Sequence, residues 1–151
     1  MPRGSPRALA ETDFLIALIN REDPLHEAAE RALERFSILL SPYSLVELDL
    51  LVLSGRIEVE DPSEFLRDVA RELRLRGVAV AQTRAEVHAR ASELRSRGMG
   101  YFDSLHQALA ELMGVPILSA DGAHSGCGSG WVDLSSLHPR PGRGGRPAPR
   151  I

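Results

Sequence analysis

Short apolar runs alternate along this chain with longer stretches in which apolar residues recur every three or four positions, and that alternation constrains the fold more than any other feature. The runs Ser37–Leu40, Val78–Ala81, Val115–Ser119 and Trp131–Leu134 have strand length, and the periodic stretches between them have the spacing of one helical face. Helix starts and stops are marked as well. Pro42 follows Ser41 and Pro62 follows Asp61, a cap followed by a first-turn proline, and Asp23-Pro24 repeats the pattern before Leu25, Ala28, Ala29, Ala32, Leu33 and Phe36. Thr83 and Glu86 form a predicted capping box, Tyr101–Met113 reads as a further helix, and Gly55, Gly77, Gly98 and Gly114 are predicted stops. Ala8–Thr12 is expected to be the first strand, despite the weak β-propensity of Ala-Leu-Ala-Glu-Thr, with a helix over Phe14–Ile19 behind it. Strands joined through helices require right-handed crossovers, so the expected fold is α/β, a mostly parallel sheet with helices on both faces.

With 151 residues, 43% hydrophobic and 26% charged, the chain has the size and composition of one globular domain. The body is expected to span residues 8–137, between a short flexible N-terminal tail at 1–7 and a basic Pro/Gly/Arg-rich tail at 138–151 that cannot sustain a ladder or an apolar face. Its apolar runs fall short of the ~18 residues of a membrane-spanning helix, and Met1–Arg7 lacks the apolar segment of a secretion signal, so a cytoplasmic protein without a membrane partner is expected. The single cysteine, Cys127, excludes an internal disulfide and a thiolate zinc site, leaving oxygen or imidazole for any metal. Every basic residue is an arginine, and the body holds 12 of them against 21 carboxylates, a formal net charge of −9. Phosphate contacts depend on basic side chains, so a nuclease with a body this acidic must tolerate phosphate by some other means, and bound divalent cations are one.

In a parallel sheet with helices on both faces, ligands gather at the carboxyl ends of the strands, where strand order reverses. Asp13 follows the first predicted strand and Asp121 follows Val115–Ser119, while Glu47 and Asp103 fall in early turns of the helices beside them. Singly, each has a plainer explanation. Glu47 completes Ser44-x-x-Glu47, Asp103 is a first-turn acid, Asp121-Gly122 is a turn dipeptide and Asp13 is a possible helix cap. Convergence would change their meaning, because two carboxylates ~4 Å apart at an effective dielectric of ~20 repel by about 4 kcal/mol. Four together require cations or raised pKa values, and oxygen ligands without a His-x-x-x-His pair point to Mg²⁺ or Mn²⁺. Ser119 is a minor candidate for the metal shell, and His106 and His124 are either packed side chains or proton donors.

The segments Glu11-Thr12-Asp13-Phe14-Leu15, Ser41-Pro42-Tyr43-Ser44-Leu45-Val46-Glu47-Leu48, Tyr101-Phe102-Asp103-Ser104-Leu105-His106-Gln107-Ala108 and Ile117-Leu118-Ser119-Ala120-Asp121 resemble, in order and spacing, the four acidic motifs of PIN-domain ribonucleases. The resemblance spans nearly all of residues 8–137. It implies a three-layer α/β/α sandwich, with Asp13, Glu47, Asp103 and Asp121 as metal-binding and catalytic residues around one or two Mg²⁺ or Mn²⁺ ions, and hydrolysis of RNA phosphodiesters by a metal-activated water. Small members of this kind are often toxins of toxin–antitoxin pairs, which implies an RNA substrate, an antitoxin protein laid across the acidic groove and a homodimer. In the family a hydroxyl residue often directly follows the first acid; here Phe14 follows Asp13 and Thr12 precedes it.

An RNA-processing nuclease without an antitoxin and a catalytically silent Mg²⁺-binding scaffold are the competing functions. A receiver-like signalling domain also places Asp at strand ends, but it needs a lysine in the pocket, and the chain has none.

Overall fold

Arg7–Ala10, the segment with the least strand-like composition, forms the central strand β1 of a parallel sheet in the computed structural model, which describes residues 4–137. Around it lie β2 (Ser37–Leu40), β3 (Ala79–Val80), β4 (Ile117–Ser119) and β5 (Trp131–Asp133), in the order β3-β2-β1-β4-β5 with every pairing parallel. Burial on both faces explains why alanines suffice in β1, because Ala8, Leu9 and Ala10 have no exposed surface and period-2 alternation divides them between two cores.

Ala8 and Ala10 join Ile38, Leu40 and Leu118 in one core, with residues of α1 (Thr12–Ile19), α2 (His26–Arg35) and α4 (Pro62–Leu75) packed over them. Phe14 of α1 is the largest fully buried side chain there, a burial that contributes about 1.5–3 kcal/mol. Leu9 and Ile117 point the other way, into a core completed by α5 (Ala85–Ser96) and α6 (Tyr101–Met113). The chain is thus an α/β/α sandwich. α3 (Pro42–Leu53) contributes to both cores, Leu48 to the first and Tyr43 to the second.

Most local signals act as composition predicts. Pro42 and Pro62 occupy first turns, Asp61 accepts the Glu64 amide at 3.1 Å, and Gly114 ends α6 in the left-handed region at φ 68°. Three side-chain caps do not form. Ser41 stands at the cap position of α3, but its hydroxyl pairs with His106 Nδ1 at 2.7 Å. Asp23 accepts the Leu25 amide at 2.8 Å, so Asp23-Pro24 makes a turn ahead of α2, which starts only at His26. Thr83 turns its hydroxyl to the Tyr43 hydroxyl at 2.5 Å, and Arg84 sits at the cap position of α5 instead. The first strand also starts one residue early, at Arg7, and ends at Ala10, not Thr12, because α1 begins at Thr12. After β4 a single 3-10 turn, Gly122–His124, interrupts the glycine-rich loop; after β5 another, Leu134–Leu137, buries both leucines against α2. The tail at 138–151 and Met1–Arg3 lie outside the described residues.

β1 has β2 on one side and β4 on the other, so the direction of crossover reverses between β1 and β4. The carboxyl ends of these two strands bound the crevice in which such a sheet places its chemistry.

Candidate active site

Because β1 ends at Ala10, Glu11 is the first residue beyond it, and its Oε1 caps α1 by accepting the Asp13 amide at 3.3 Å. Across the crevice, β4 ends at Ser119, whose hydroxyl lies 3.1 Å from Glu11 Oε1 and 3.2 Å from Asp13 Oδ2. One hydroxyl carries one proton, so Ser119 donates to one of these carboxyl groups at a time. Asp13 Oδ2 also accepts the Ala120 amide at 2.6 Å, tying the first turn of α1 to the chain leaving β4. Asp13 Oδ1 is buried and has no hydrogen-bond partner among the described residues.

Glu11 is 6% exposed. Burial is the main reason its carboxyl is pushed up to about 10, and the hydrogen bond and charge of Asp13 add to it, outweighing the Asp13 amide and Ser119 hydroxyl that favour the carboxylate. In the chain alone Glu11 is therefore a neutral acid at pH 7.

α3 and α6 bring the other groups. The Thr12 hydroxyl donates to Glu47 Oε1 at 2.6 Å, and His106 Nε2 lies 2.5 Å from the same oxygen. A carboxylate only accepts, so the network assigns the proton to Nε2, while Nδ1 pairs with the Ser41 hydroxyl at 2.7 Å. Glu47 is not a capping-box acid, since Ser44 is buried within α3 and Ser41 stands at its cap position. Asp103, in the first turn of α6, has Oδ1 3.6 Å from Nε2 of the fully buried His124. The His124 imidazole holds the Asp103 carboxyl below its usual range, against the opposing effect of burial. Asp121 is exposed, and its Oδ1 accepts the Ala123 amide at 2.9 Å to cap the turn at Gly122–His124.

Ligand atoms of Glu11, Glu47 and His106 lie within 4.8 Å of one another, as do those of Glu11, Asp103 and His124. Of the sequence-predicted residues, Glu47 and Asp103 thus meet around Glu11, Asp13 and Ser119 are hydrogen-bonded beside it, and Asp121 stands outside both groups. Sequence alone does not single out Glu11, because a first strand over Ala8–Thr12 runs through it. One signal pointed to it: Glu11-Thr12 is an acid directly followed by a hydroxyl residue, whereas Asp13-Phe14 is not.

Two ligand groups that share Glu11, one with Glu47 and His106 and one with Asp103 and His124, each fit a divalent cation, with oxygen suiting Mg²⁺ or Mn²⁺ and imidazole favouring the transition metals. The profile of the PIN domain family matches residues 8–125, most of the body. This chain belongs to the PIN-domain family.

The PIN domain described here shares its fold with toxins of known structure. It is 22% identical to VapC20 of Mycobacterium tuberculosis, a Sarcin-Ricin loop cleaving toxin, with a TM-score of 0.61 over 83% of this chain and 97% of that one. A toxin–antitoxin complex from Klebsiella pneumoniae matches with a TM-score of 0.61 at 16% identity, covering 83% and 97% of the two chains. VapBC2 of Rickettsia felis, in a structure bound to a DNA fragment from its promoter, matches with a TM-score of 0.62 at 14% identity, covering 83% and 96%. No curated protein sequence gives a significant match.

Proposed function

We propose that this PIN domain is a Mg²⁺- or Mn²⁺-dependent endoribonuclease and the toxin component of a cytoplasmic toxin–antitoxin pair. The observation that carries the reading is that Glu11, just past β1, shares one ligand group with Glu47 of α3 and another with Asp103 of α6, at the crevice where strand order reverses in a PIN-family chain. Glu11, Glu47 and Asp103 would hold the cation, with Asp13 beside them and Asp121 as an outer candidate on the neighbouring turn. When bound, it supplies the positive charge that lets an acidic body accept a phosphodiester and lowers the pKa of the attacking water.

The remaining groups act on the acids. Thr12 and His106 both donate to Glu47 Oε1, which fixes that carboxylate and leaves its other oxygen free of them. The Ala120 amide, at 2.6 Å from Asp13 Oδ2, holds Asp13 against the end of β4, so the first turn of α1 cannot drift from the crevice. These contacts keep the site preorganised, so little reorganisation is needed when substrate arrives.

An antitoxin and a second copy of the chain are the proposed protein partners, and similarity to the Klebsiella toxin–antitoxin complex and the Rickettsia VapBC2 structure supports the first. Val46, Leu50 and Leu53 of α3 are exposed apolar residues, and Leu50 and Leu53 line a groove of about 480 Å³ with Glu47, Arg56 and Phe102. An apolar face adjoining Glu47 supports a partner that covers the acidic site. No helix among the described residues is long and apolar enough to cross a membrane.

The deciding experiment is cleavage of single-stranded RNA with Mg²⁺ or Mn²⁺, with EDTA as control, for the wild type beside Asp103→Asn. Cleavage that needs the metal and is lost in a folded Asp103→Asn is expected. Cleavage undiminished in that variant would remove the site assignment, and no cleavage under any metal would leave a binding module.

A further inference from the structure

His124 is fully buried, and its ring nitrogens have unequal surroundings. Nδ1 lies 3.2 Å from Gln107 Oε1. The Gln107 amide group donates to Glu111 Oε1 at 3.2 Å, which fixes the carbonyl toward His124, and a carbonyl only accepts, so Nδ1 carries the proton. Glu111 is itself held by Arg90 Nε at 2.8 Å and by the Gly128 amide at 3.1 Å. A chain running Arg90, Glu111, Gln107, His124 therefore sets the tautomer and the orientation of the ring. The other nitrogen, Nε2, is buried, lies 3.6 Å from Asp103 Oδ1 beside Glu11, and at that distance makes no hydrogen bond among the described residues. A ring whose far N–H is anchored to a carbonyl while its near nitrogen points into carboxylates has the arrangement of a metal-ligating histidine. His106 is placed differently, since both of its nitrogens are already engaged by Glu47 and Ser41.

We propose that His124 Nε2 is a ligand to the cation held by Glu11 and Asp103, making this a mixed nitrogen and oxygen site that selects Mn²⁺ over Mg²⁺. This rests on the cation-dependent reading above. Mg²⁺ takes oxygen ligands almost exclusively, while imidazole raises the affinity of first-row transition metals.

The test is pulsed EPR of the full chain loaded with MnCl₂, read for nitrogen-14 coupling from a directly bound imidazole and repeated on chain carrying nitrogen-15 histidine, alongside calorimetry with MnCl₂ and MgCl₂. Expected are imidazole coupling in the wild type, its loss in His124→Asn and its retention in His106→Asn. Mn²⁺ affinity should fall about 10–100-fold in Gln107→Leu, which cuts the anchor without touching the ion. Absence of imidazole coupling in the wild type, or its persistence in a folded His124→Asn, would overturn the assignment. If His124→Asn does not fold, loss of coupling in His106→Asn would overturn it equally. RNA cleavage without nitrogen coupling removes this inference alone, whereas nitrogen coupling without cleavage keeps it and removes the nuclease reading.

Discussion

Glu11 and Ser119 stand at the ends of neighbouring parallel strands and are joined by a hydrogen bond of 3.1 Å, although 108 positions separate them in the chain. The bond spans the crevice between β1 and β4, where a buried acid faces the groups that arrive on α3 and α6. Its partners make Glu11 the hinge of the candidate site, and its burial makes it expensive to ionise.

That expense gives a stability signature in the metal-free chain. The folded Glu11 carboxyl is raised to about 10, mainly by burial, against an unfolded value near 4.5. Below the unfolded value both states hold the proton and nothing is lost. As pH rises from there toward the folded value, only the unfolded state releases its proton, so stability falls. Urea denaturation in EDTA should therefore show the wild type losing stability between pH 5 and pH 9 (on the order of kcal/mol) relative to Glu11→Gln, which keeps the neutral shape and cannot ionise. The same variant should lack metal-dependent RNA cleavage. Parallel pH profiles for the two proteins would refute the protonated state.

The acids should also differ in weight. Asp103 belongs to a ligand group with Glu11, while Asp121 is exposed and spends Oδ1 on the Ala123 amide. Asn caps a turn as well as Asp does, so Asp121→Asn should preserve the loop. We expect Asp103→Asn to lower the single-turnover cleavage rate by more than ~100-fold and Asp121→Asn by clearly less, roughly the 10–100-fold of an outer-shell loss. Equal losses would place Asp121 in the inner site.

Much of this was legible in the sequence, and the exceptions have local causes. Alternating apolar runs and helical faces predicted the parallel sheet because βα units leave few other ways to bury both faces. Ala-Leu-Ala is strand only because the sheet centre buries it, a tertiary effect that propensity does not contain. A strand ending at Thr12 makes Asp13 the strand-end acid, whereas the observed end at Ala10 gives that place to Glu11. Helical spacing put Asp103 and His106 on one face, but which nitrogen of His124 meets Asp103 depends on Gln107 and Glu111, and that pairing exists only in three dimensions.

Thr12 offers a test of preorganisation. Its hydroxyl donates to Glu47 Oε1 at 2.6 Å and is nearly buried, so Thr12→Val keeps the shape and removes one donor from a carboxylate that retains His106. Loss of a single such bond costs about 1 kcal/mol, which denaturant titration should detect. Cleavage should drop roughly tenfold with RNA affinity unchanged, since 1.4 kcal/mol corresponds to a factor of ten and the hydroxyl orients Glu47 without being proposed to touch RNA. A loss confined to RNA affinity would make Thr12 a substrate contact instead.

Away from the site, Glu30 of α2 is paired with Arg76 at the end of α4, with His26 3.5 Å away on the same helix. The Arg76 guanidinium is the main reason the Glu30 carboxyl lies below its usual range, opposed by partial burial. A lowered folded pKa means the pair stabilises the protein above the unfolded value and ceases to do so as pH falls through the folded one. Glu30 is partly exposed, so solvent screening limits the gain to about 1 kcal/mol or less. Glu30→Gln should accordingly melt a few degrees below the wild type at pH 7, and the gap should close on acidification below pH 4 and shrink in 1 M NaCl, with RNA cleavage unaffected throughout because neither α2 nor the end of α4 contributes to the acidic groups. A gap that persisted at low pH and high salt would trace the effect to packing of the glutamate stem and not to its charge.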